Sequence, residues 1–456
     1  MQRKKASLMT HSQPALAFPL LASKPLVVDF SGGRISSDGG LLLLAQLDRE
    51  LGLTERVTAC LADQRLGCRV KHSLLELVRQ RVYQIAAGYE DCNDANRLRA
   101  DPALKLSVGR APVSGRDLAS QPTLSRLEGM VAEDEVDAIN GVLLEQFLDT
   151  PRKPPRQVVL DFDPSDDPTH GQQELTLFNG HYGCYCYLPL FVFARVSGES
   201  EEFLVSAELP EHHDKDTDAI LATLSRLVEG LRQKWPGVQV VFRADAWFAT
   251  PALYDWCEEH RVAYAIGLPG NRVLAELSGK WRERAEKAAQ SSPSKRARLF
   301  GSFRYQAQGW KRLRQVVVKA EVTPLGPNPR YVVVSGLSCT PRQGYSFYAR
   351  RGGCENRIKE LKEAIKSDRT SCMAFASNKV RLMLHAVAYV LFQRLRRVAR
   401  GTGFAHTQVE GLRLALIKIG ALVKETGRRV HVALASACPT QALWTRLACR
   451  LGVPFG

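Results

Sequence analysis

The chain has 456 residues, 45% of them hydrophobic, with a formal net charge of +16 and a pI near 9.4. That length allows roughly two to four domains with ample core. The charge suits a polyanionic partner, a property shared with membrane-surface and ribosome-associated proteins. No apolar run reaches the roughly 18 residues of a membrane span, so no spanning helix is expected. Residues 1–24 place basic residues before a short apolar patch broken by two prolines, a poor signal peptide, and the protein reads as cytosolic. The eleven cysteines include no Cys-x2-Cys pair, and an odd count in a cytosolic chain favours buried free thiols over zinc or disulfides. Neither G-x-S-x-G nor G-x4-G-K-[ST] is present, so neither a serine-hydrolase elbow nor a phosphate loop finds support.

In chain order, residues before about 150 read as mostly helical. Leu74, Leu77, Val78, Val82 and Ile85 form one apolar stripe, and a second helix is expected near 136–147. Arg65, Arg69, Arg79 and Arg81 in this region read as partner contacts or as ordinary surface charge. TPRKPPR, at 150–156, reads as a linker. VVLDFDPSDD, at 158–167, opens with apolar β-branched residues and ends in carboxylates, as a buried strand does where it leaves a sheet. Asp161 and Asp163 lie two apart and so face the same way on a strand. An Asx-turn at Asp163-Pro164-Ser165 is the structural alternative.

Two strands are expected at 188–194 and 203–209, joined by the turn residues Ser197 and Gly198. A helix follows from about Asp216, with Ile220, Leu224, Leu227, Val228 and Leu231 at helical spacing. VQVVFRADAWF, at 238–248, again runs an apolar strand into an aspartate, Asp245. Thr250 then reads as an N-cap and Pro251 as the first helical residue. A further strand is expected at 262–268. An acid between a buried strand and the next helix sits at the carboxyl edge of a sheet, where α/β folds bind ligands.

Past the Ser-rich SSPSKRAR, the runs WKRLRQVVVKAEV and RYVVVSG flank TPLGPNP, which predicts a hairpin. Trp310, Lys311, Arg312 and Arg314 mix an aromatic with cations, suited to stacking a base and holding phosphates; a packed Trp310 is the equal alternative. YARRGGCENRIKELK sets Tyr348, Arg351, Glu355 and Lys362 at offsets 0, 3, 7 and 14. At about 100° per residue they fall within roughly 60° on one helix face. A carboxylate there suits a divalent metal, and the Arg and Lys suit phosphate oxygens; a solvated charged face is the bland alternative. An apolar helix at 378–400, a helical stretch at 409–423 and a strand-like VHVAL close the chain.

The order β-β-β-α-β-α-β, with acids on the first strand, after the fourth strand and on a later helix, is the layout of a ribonuclease H-like core. On these residues the chain resembles the DDE transposases of bacterial insertion sequences. Within them it resembles the group with the Y-x2-R-x3-E-x6-K signature, met here by Tyr348, Arg351, Glu355 and Lys362 with no departure in spacing. LDFDPSDDPTHGQQ looks like that group's first-aspartate region and RADAWF like its second. SSDGGLLLL, YEDCNDANRLRADPALK, LASQPTLSRLE and RRVHVALASACP also look like the group, so the resemblance covers nearly the whole chain. The first acid maps to Asp163 or Asp161; Asp163 is favoured because Pro164 and then Ser165 follow it. Trp247 after Ala246 departs from the small residues usual beyond the second aspartate.

The resemblance implies an α/β, ribonuclease H-like catalytic core with a β-rich insertion, a mainly helical N-terminal region and a helical C-terminal region. The implied boundaries are 1–150 for DNA end binding, 151–270 for the first part of the core, 271–340 for the insertion, 341–400 for the second part with the Glu helix, and 401–456 for the C-terminal region. It implies Mg²⁺ or Mn²⁺, two ions, held by Asp163, Asp245 and Glu355 with Asp161 as a further ligand. DNA contacts are implied for Tyr348, Arg351, Lys359, Lys362, Trp310 and Arg312. The implied partners are inverted-repeat element ends, target DNA and a second copy in a synaptic complex, with no membrane, in a bacterial cytoplasm at the nucleoid. The alternatives are a nuclease of the same fold that cuts without strand transfer, or a DNA-binding derivative without catalysis. The second would lack an acid, and none is missing.

Overall fold

The computed structural model describes residues 16–18, 20, 23–211 and 216–455. The segment at 1–24, read as a poor signal peptide, lies mostly outside them, as does the side chain of Arg69.

Eight strands form the main path of a mixed central sheet. They are β1 Gln157–Pro164, β2 Leu190–Val196, β3 Phe203–Glu208, β4 Gln239–Ala244, β5 Ala263–Leu268, β6 Ala297–Tyr305, β7 Arg314–Thr323 and β8 Arg330–Ser335. Their spatial order is β6-β7-β8-β5-β4-β1-β2-β3. β1 and β4 are parallel neighbours, with Asp161 opposite Arg243, and β5 runs parallel on the far side of β4. β2 is antiparallel to β1, and β8 to β5. β1 is buried on both faces, which is why its apolar residues run together instead of alternating.

Helices cover both faces. Thr217–Lys234 starts at Asp216, whose side chain accepts from Ala219 N (2.9 Å), and Pro251–Glu259 starts at Thr250. The stripe of Ile220, Leu224, Leu227, Val228 and Leu231 packs with Phe162, Phe242 and Tyr254 under one face. Beneath the other, the helices Gly352–Ile365 and Phe375–Val398 pack on Phe191, Phe193 and Leu204. No helix of the described residues is long and apolar enough to cross a membrane.

Three departures from expectation depend on contacts between distant parts of the chain. Residues 271–340 begin with helices Arg272–Leu277 and Gly279–Gln290, and β6 to β8 then extend the central sheet, with β8 hydrogen-bonded to β5. The C-terminal region is not simply helical: after Val409–Leu412 and a π turn at Arg413–Ile417, the chain forms strands Ala421–Glu425 and Val430–Leu434. Buried Arg413, where the α-helix gives way to the π turn, donates to the carbonyls of Ala86 and Ala364. The strand then pairs with Ile35–Ser36, so both ends of the chain build one unit with helices Leu41–Leu51 and Leu74–Ala87. Gly40 makes this junction possible, since a Cβ there would lie 1.8 Å from the Leu416 carbonyl oxygen.

Third, Arg79 and Arg81 are internal struts. Arg81 is fully buried and pairs with Glu128 (2.8 Å), which also receives Arg381 (3.1 Å), and Arg79 reaches Glu55 (2.8 Å).

Candidate active site

The parallel pairing of β1 and β4 brings two strand ends to the same sheet edge. β1 delivers Asp163, which is 7% exposed. β4 delivers Asp245, which caps the short turn Ala246–Phe248 by accepting from Trp247 N (2.9 Å). Glu355 stands in the first turn of Gly352–Ile365. These three acids, with Arg351, Lys359 and Lys362, line one open cleft of about 550 Å³.

The YREK run is not one continuous helix. Pro341–Ala349 ends and Gly352–Ile365 begins around Arg351, whose N–H donates to the Tyr348 carbonyl (3.0 Å) and whose carbonyl accepts from Cys354 (2.8 Å). These three-residue steps tighten the chain where Gly352 and Gly353, poor helix formers, follow one another. The bend still leaves Arg351 and Glu355 one turn apart. Arg351 spans the acids, with Nη1 3.1 Å from Asp163 Oδ2 and Nη2 2.6 Å from Glu355 Oε1. Burial pushes the Asp163 carboxyl up to about 7, with Arg351 opposing and the charges of Asp245 and Glu355 adding to the rise.

Lys362 grips the loop after β1: its Nζ is 2.7 Å from both Asp166 Oδ1 and the Asp166 carbonyl, and 3.3 Å from Ser165 Oγ. Lys359 lies at the exposed rim, 3.7 Å from Glu363. Tyr348 packs where Gly267 leaves room, since a Cβ on Gly267 would meet the phenol oxygen at 2.7 Å and Ala246 N at 2.9 Å. The phenol and the Asp245–Ala246 backbone thus both border Gly267.

Asp161, Trp310 and Arg312 do not line the cleft. Both Asp161 oxygens are held by Arg243 (2.5 and 2.6 Å), and Arg243 also donates to the Phe347 carbonyl (2.7 Å). This fully buried pair locks β1 to β4 and to the helix that carries Tyr348. Trp310 is 8% exposed and packs edge-on against Tyr254 (5.1 Å) and Tyr305 (5.4 Å). Arg312 is on the surface, 3.9 Å from Glu258.

Among the described residues, no three His, Cys, Asp or Glu side chains are drawn together as a ready metal cage. The Arg351 guanidinium instead pairs with carboxylate oxygens of both Asp163 and Glu355. The donor set itself, three carboxylates around one cleft, is of the chemistry that suits a hard divalent cation.

Sequence reasoning passed over the hairpin between β1 and β2. Its strands Leu177–Asn179 and Cys184–Tyr187 carry Phe178 and Tyr185, with Tyr182 in the turn. Burial, then the charges of Asp166 and Asp163, push the Tyr182 phenol up to about 12. The recurrence of aromatics in FNGHYGCYCY was the available signal.

Fold and site together define an α/β protein with a cleft of carboxylates and cations at the ends of parallel strands. Residues 18–452 match the family described as Transposase DDE domain group 1, and the chain belongs to that family. No curated protein matches it.

Proposed function

We propose that the protein is an active insertion-sequence transposase with a ribonuclease H-like core, which binds the inverted-repeat ends of its element and cuts and rejoins DNA there. The observation that carries this reading is the meeting of Asp163, Asp245 and Glu355, from three separate elements, on one cleft. Asp163 takes the place of the first acid, because Asp161 is committed to Arg243.

Asp163, Asp245 and Glu355 would hold Mg²⁺ or Mn²⁺, two ions, which when bound activate the attacking oxygen and stabilise the leaving one. The chain's own residues do the rest. Arg351, freed from the carboxylates, offers a two-pronged donor to the scissile phosphate. Lys362 fixes the Ser165–Asp166 loop that floors the cleft, and Lys359 adds a point charge at its rim. Tyr348 and the Asp161–Arg243 pair position the two aspartates. Arg312 remains a surface contact for the phosphate backbone, while Trp310 serves the fold.

The N-terminal region adds a second basic surface, a cleft of about 1170 Å³ lined by Arg65, Lys71, Arg99, Arg116 and Arg126, of which Arg65 pairs with Asp63 (2.7 Å) and Arg99 with Asp117 (3.2 Å). That balance suits duplex phosphates, and we assign end binding to it. A second copy holds the other end in the synaptic complex.

The test uses a labelled duplex copied from the inverted repeats that bracket the gene, with Mg²⁺. The wild type should cut it and join the freed 3′-OH to a target. Asp163→Asn, Asp245→Asn and Glu355→Gln should bind the duplex but not cut it. Cutting by the Glu355→Gln protein refutes the site, and cutting without any joined product leaves only a nuclease.

A further inference from the structure

Away from the carboxylate cleft, the unit built from both ends of the chain leaves two apolar surfaces without a partner. The first is a hairpin: Leu16–Phe18 pairs antiparallel with Leu26–Val28 and joins no other sheet among the described residues. Leu16 lies opposite Val28 and Phe18 opposite Leu26, so these four side chains share one face. Among the described residues nothing covers it: Leu16 is 51% exposed, Phe18 42% and Val28 41%. A lone two-stranded hairpin is marginal in water at best, and one with an uncovered apolar face gains from any further strand.

The second is the edge of the small sheet that joins the two ends, ordered Val430–Leu434, Ala421–Glu425, Ile35–Ser36. Ala435 N donates to the Gly420 carbonyl (2.8 Å) and Thr426 N to the Arg429 carbonyl (2.9 Å). These bonds set the phase of the ladder, so the N–H and C=O groups of Val430, Val432 and Leu434 point away from Ala421–Glu425. Among the described residues no strand takes them up. VHVAL carries none of the usual edge safeguards, having no Lys, no Pro and no bulge. The hairpin of the same copy enters the sheet at its opposite edge, through Gly33 and Ile35–Ser36. Residues 16–30 hold one Lys and one Asp in a chain of net charge +16, so the hairpin is not built for DNA and has no cationic collar for an anionic lipid surface. An apolar hairpin and an open backbone edge on one molecule instead complement each other across a two-fold axis.

We propose that two copies of the chain exchange these elements: the hairpin of each adds as a further strand to the Val430–Leu434 edge of the other. The inference deepens the reading that a second copy holds the other element end, and names the surface that joins the two. Reciprocity closes the pair and leaves no edge for a third copy. None of these residues lines the carboxylate cleft or the basic N-terminal cleft, so both stay open to DNA.

The test needs no DNA. Light scattering over a dilution series of the full chain should give the wild type the mass of two copies. Val432→Pro removes an outward N–H that a single copy does not use, and Val430→Pro does the same one repeat along the edge. Leu16→Lys/Phe18→Lys charges the hairpin face. Each should weaken dimerisation about tenfold or more. In a mixture, the Pro variant still offers a hairpin and the Lys variant still offers an edge, so one of the two contacts forms. The mixture should therefore reach dimer mass at concentrations where each variant alone is monomeric, which excludes a folding defect. A monomeric wild type, dimers that the variants leave intact, or a mixture that stays monomeric overturns the exchange. None of these results reads cutting, so the transposase reading stands or falls separately, on the cutting assay.

Discussion

Replacing Arg351 by alanine should tighten Mn²⁺ binding to the DNA-free protein about ten- to a hundredfold. In the structure its guanidinium bridges Asp163 and Glu355 at 3.1 and 2.6 Å, so an incoming cation competes with an internal one. The Glu355 half is cheap to break: that carboxylate is 55% exposed, and such one-turn pairs are worth about 0.3–0.5 kcal/mol. The Asp163 half is not, with side-chain exposures of 16% for Arg351 and 11% for Asp163. Leaving one member of a buried pair unpaired costs about 3–5 kcal/mol. The metal's own charge at Asp163, and the water that stranded Arg351 regains, offset about half of that. A remainder of about 1.4–2.8 kcal/mol corresponds to one to two decades of affinity. Titration followed by the electron paramagnetic resonance of free Mn²⁺ reads this without DNA or turnover. Arg351→Lys should fall between, because one ammonium cannot span both carboxylates as a planar fork does. Equal or weaker Mn²⁺ binding by Arg351→Ala, with Asp163→Asn binding less than wild type, would refute the competition.

Asp161→Asn should destabilise the protein by about 3–5 kcal/mol in urea unfolding, because it strands buried Arg243, yet leave Mn²⁺ affinity of the folded protein within about twofold. Loss of Mn²⁺ binding at unchanged stability would make Asp161 a ligand instead. Trp310→Ala should cost about 3–5 kcal/mol by opening a cavity beside Tyr254 and Tyr305, and should leave the DNA affinity of the folded protein unchanged; a selective loss of DNA affinity would contradict its packed role. Burial pushes the Asp167 carboxyl up to about 7 from the ordinary 3.8, although Thr370 donates to it (2.6 Å). The folded protein therefore keeps a proton that the unfolded chain releases, so stability falls as pH rises from about 4 to 7. Asp167→Asn cannot ionise, and its stability relative to wild type should rise between pH 5 and pH 8, by at most about 3 kcal/mol. Thermal melts showing no such trend would contradict it.

What the sequence disclosed was local. The strands β1, β4 and β5 announced themselves as apolar runs, and the helices Thr217–Lys234 and Pro251–Glu259 were marked by the caps Asp216 and Thr250. The three acids were legible because each stands where a strand ends or a charged helix begins. What stayed hidden depends on distant partners. Arg81 is buried only because Glu128, 47 residues away, meets it. β8 joins the central sheet only through β5, and nothing within RYVVVSG separates that from an isolated hairpin. The bend at Arg351 was readable from Gly352-Gly353, but the offsets of the four signature residues were laid on an unbroken helix. Trp310 had balanced alternatives, and its ring contacts with Tyr254 and Tyr305 decide for packing.

The most direct measurement is the anomalous scattering of Mn²⁺ in crystals of the Glu355→Asp protein and of the wild type, each bound to an inverted-repeat duplex. Wild-type crystals should show Mn²⁺ bound by carboxylate oxygens of Asp163, Asp245 and Glu355, with Arg351 turned onto the DNA, and the shortened side chain should weaken that density. Mn²⁺ density away from this cleft, or none while Arg351 still bridges Asp163 and Glu355, would contradict a shared carboxylate metal site.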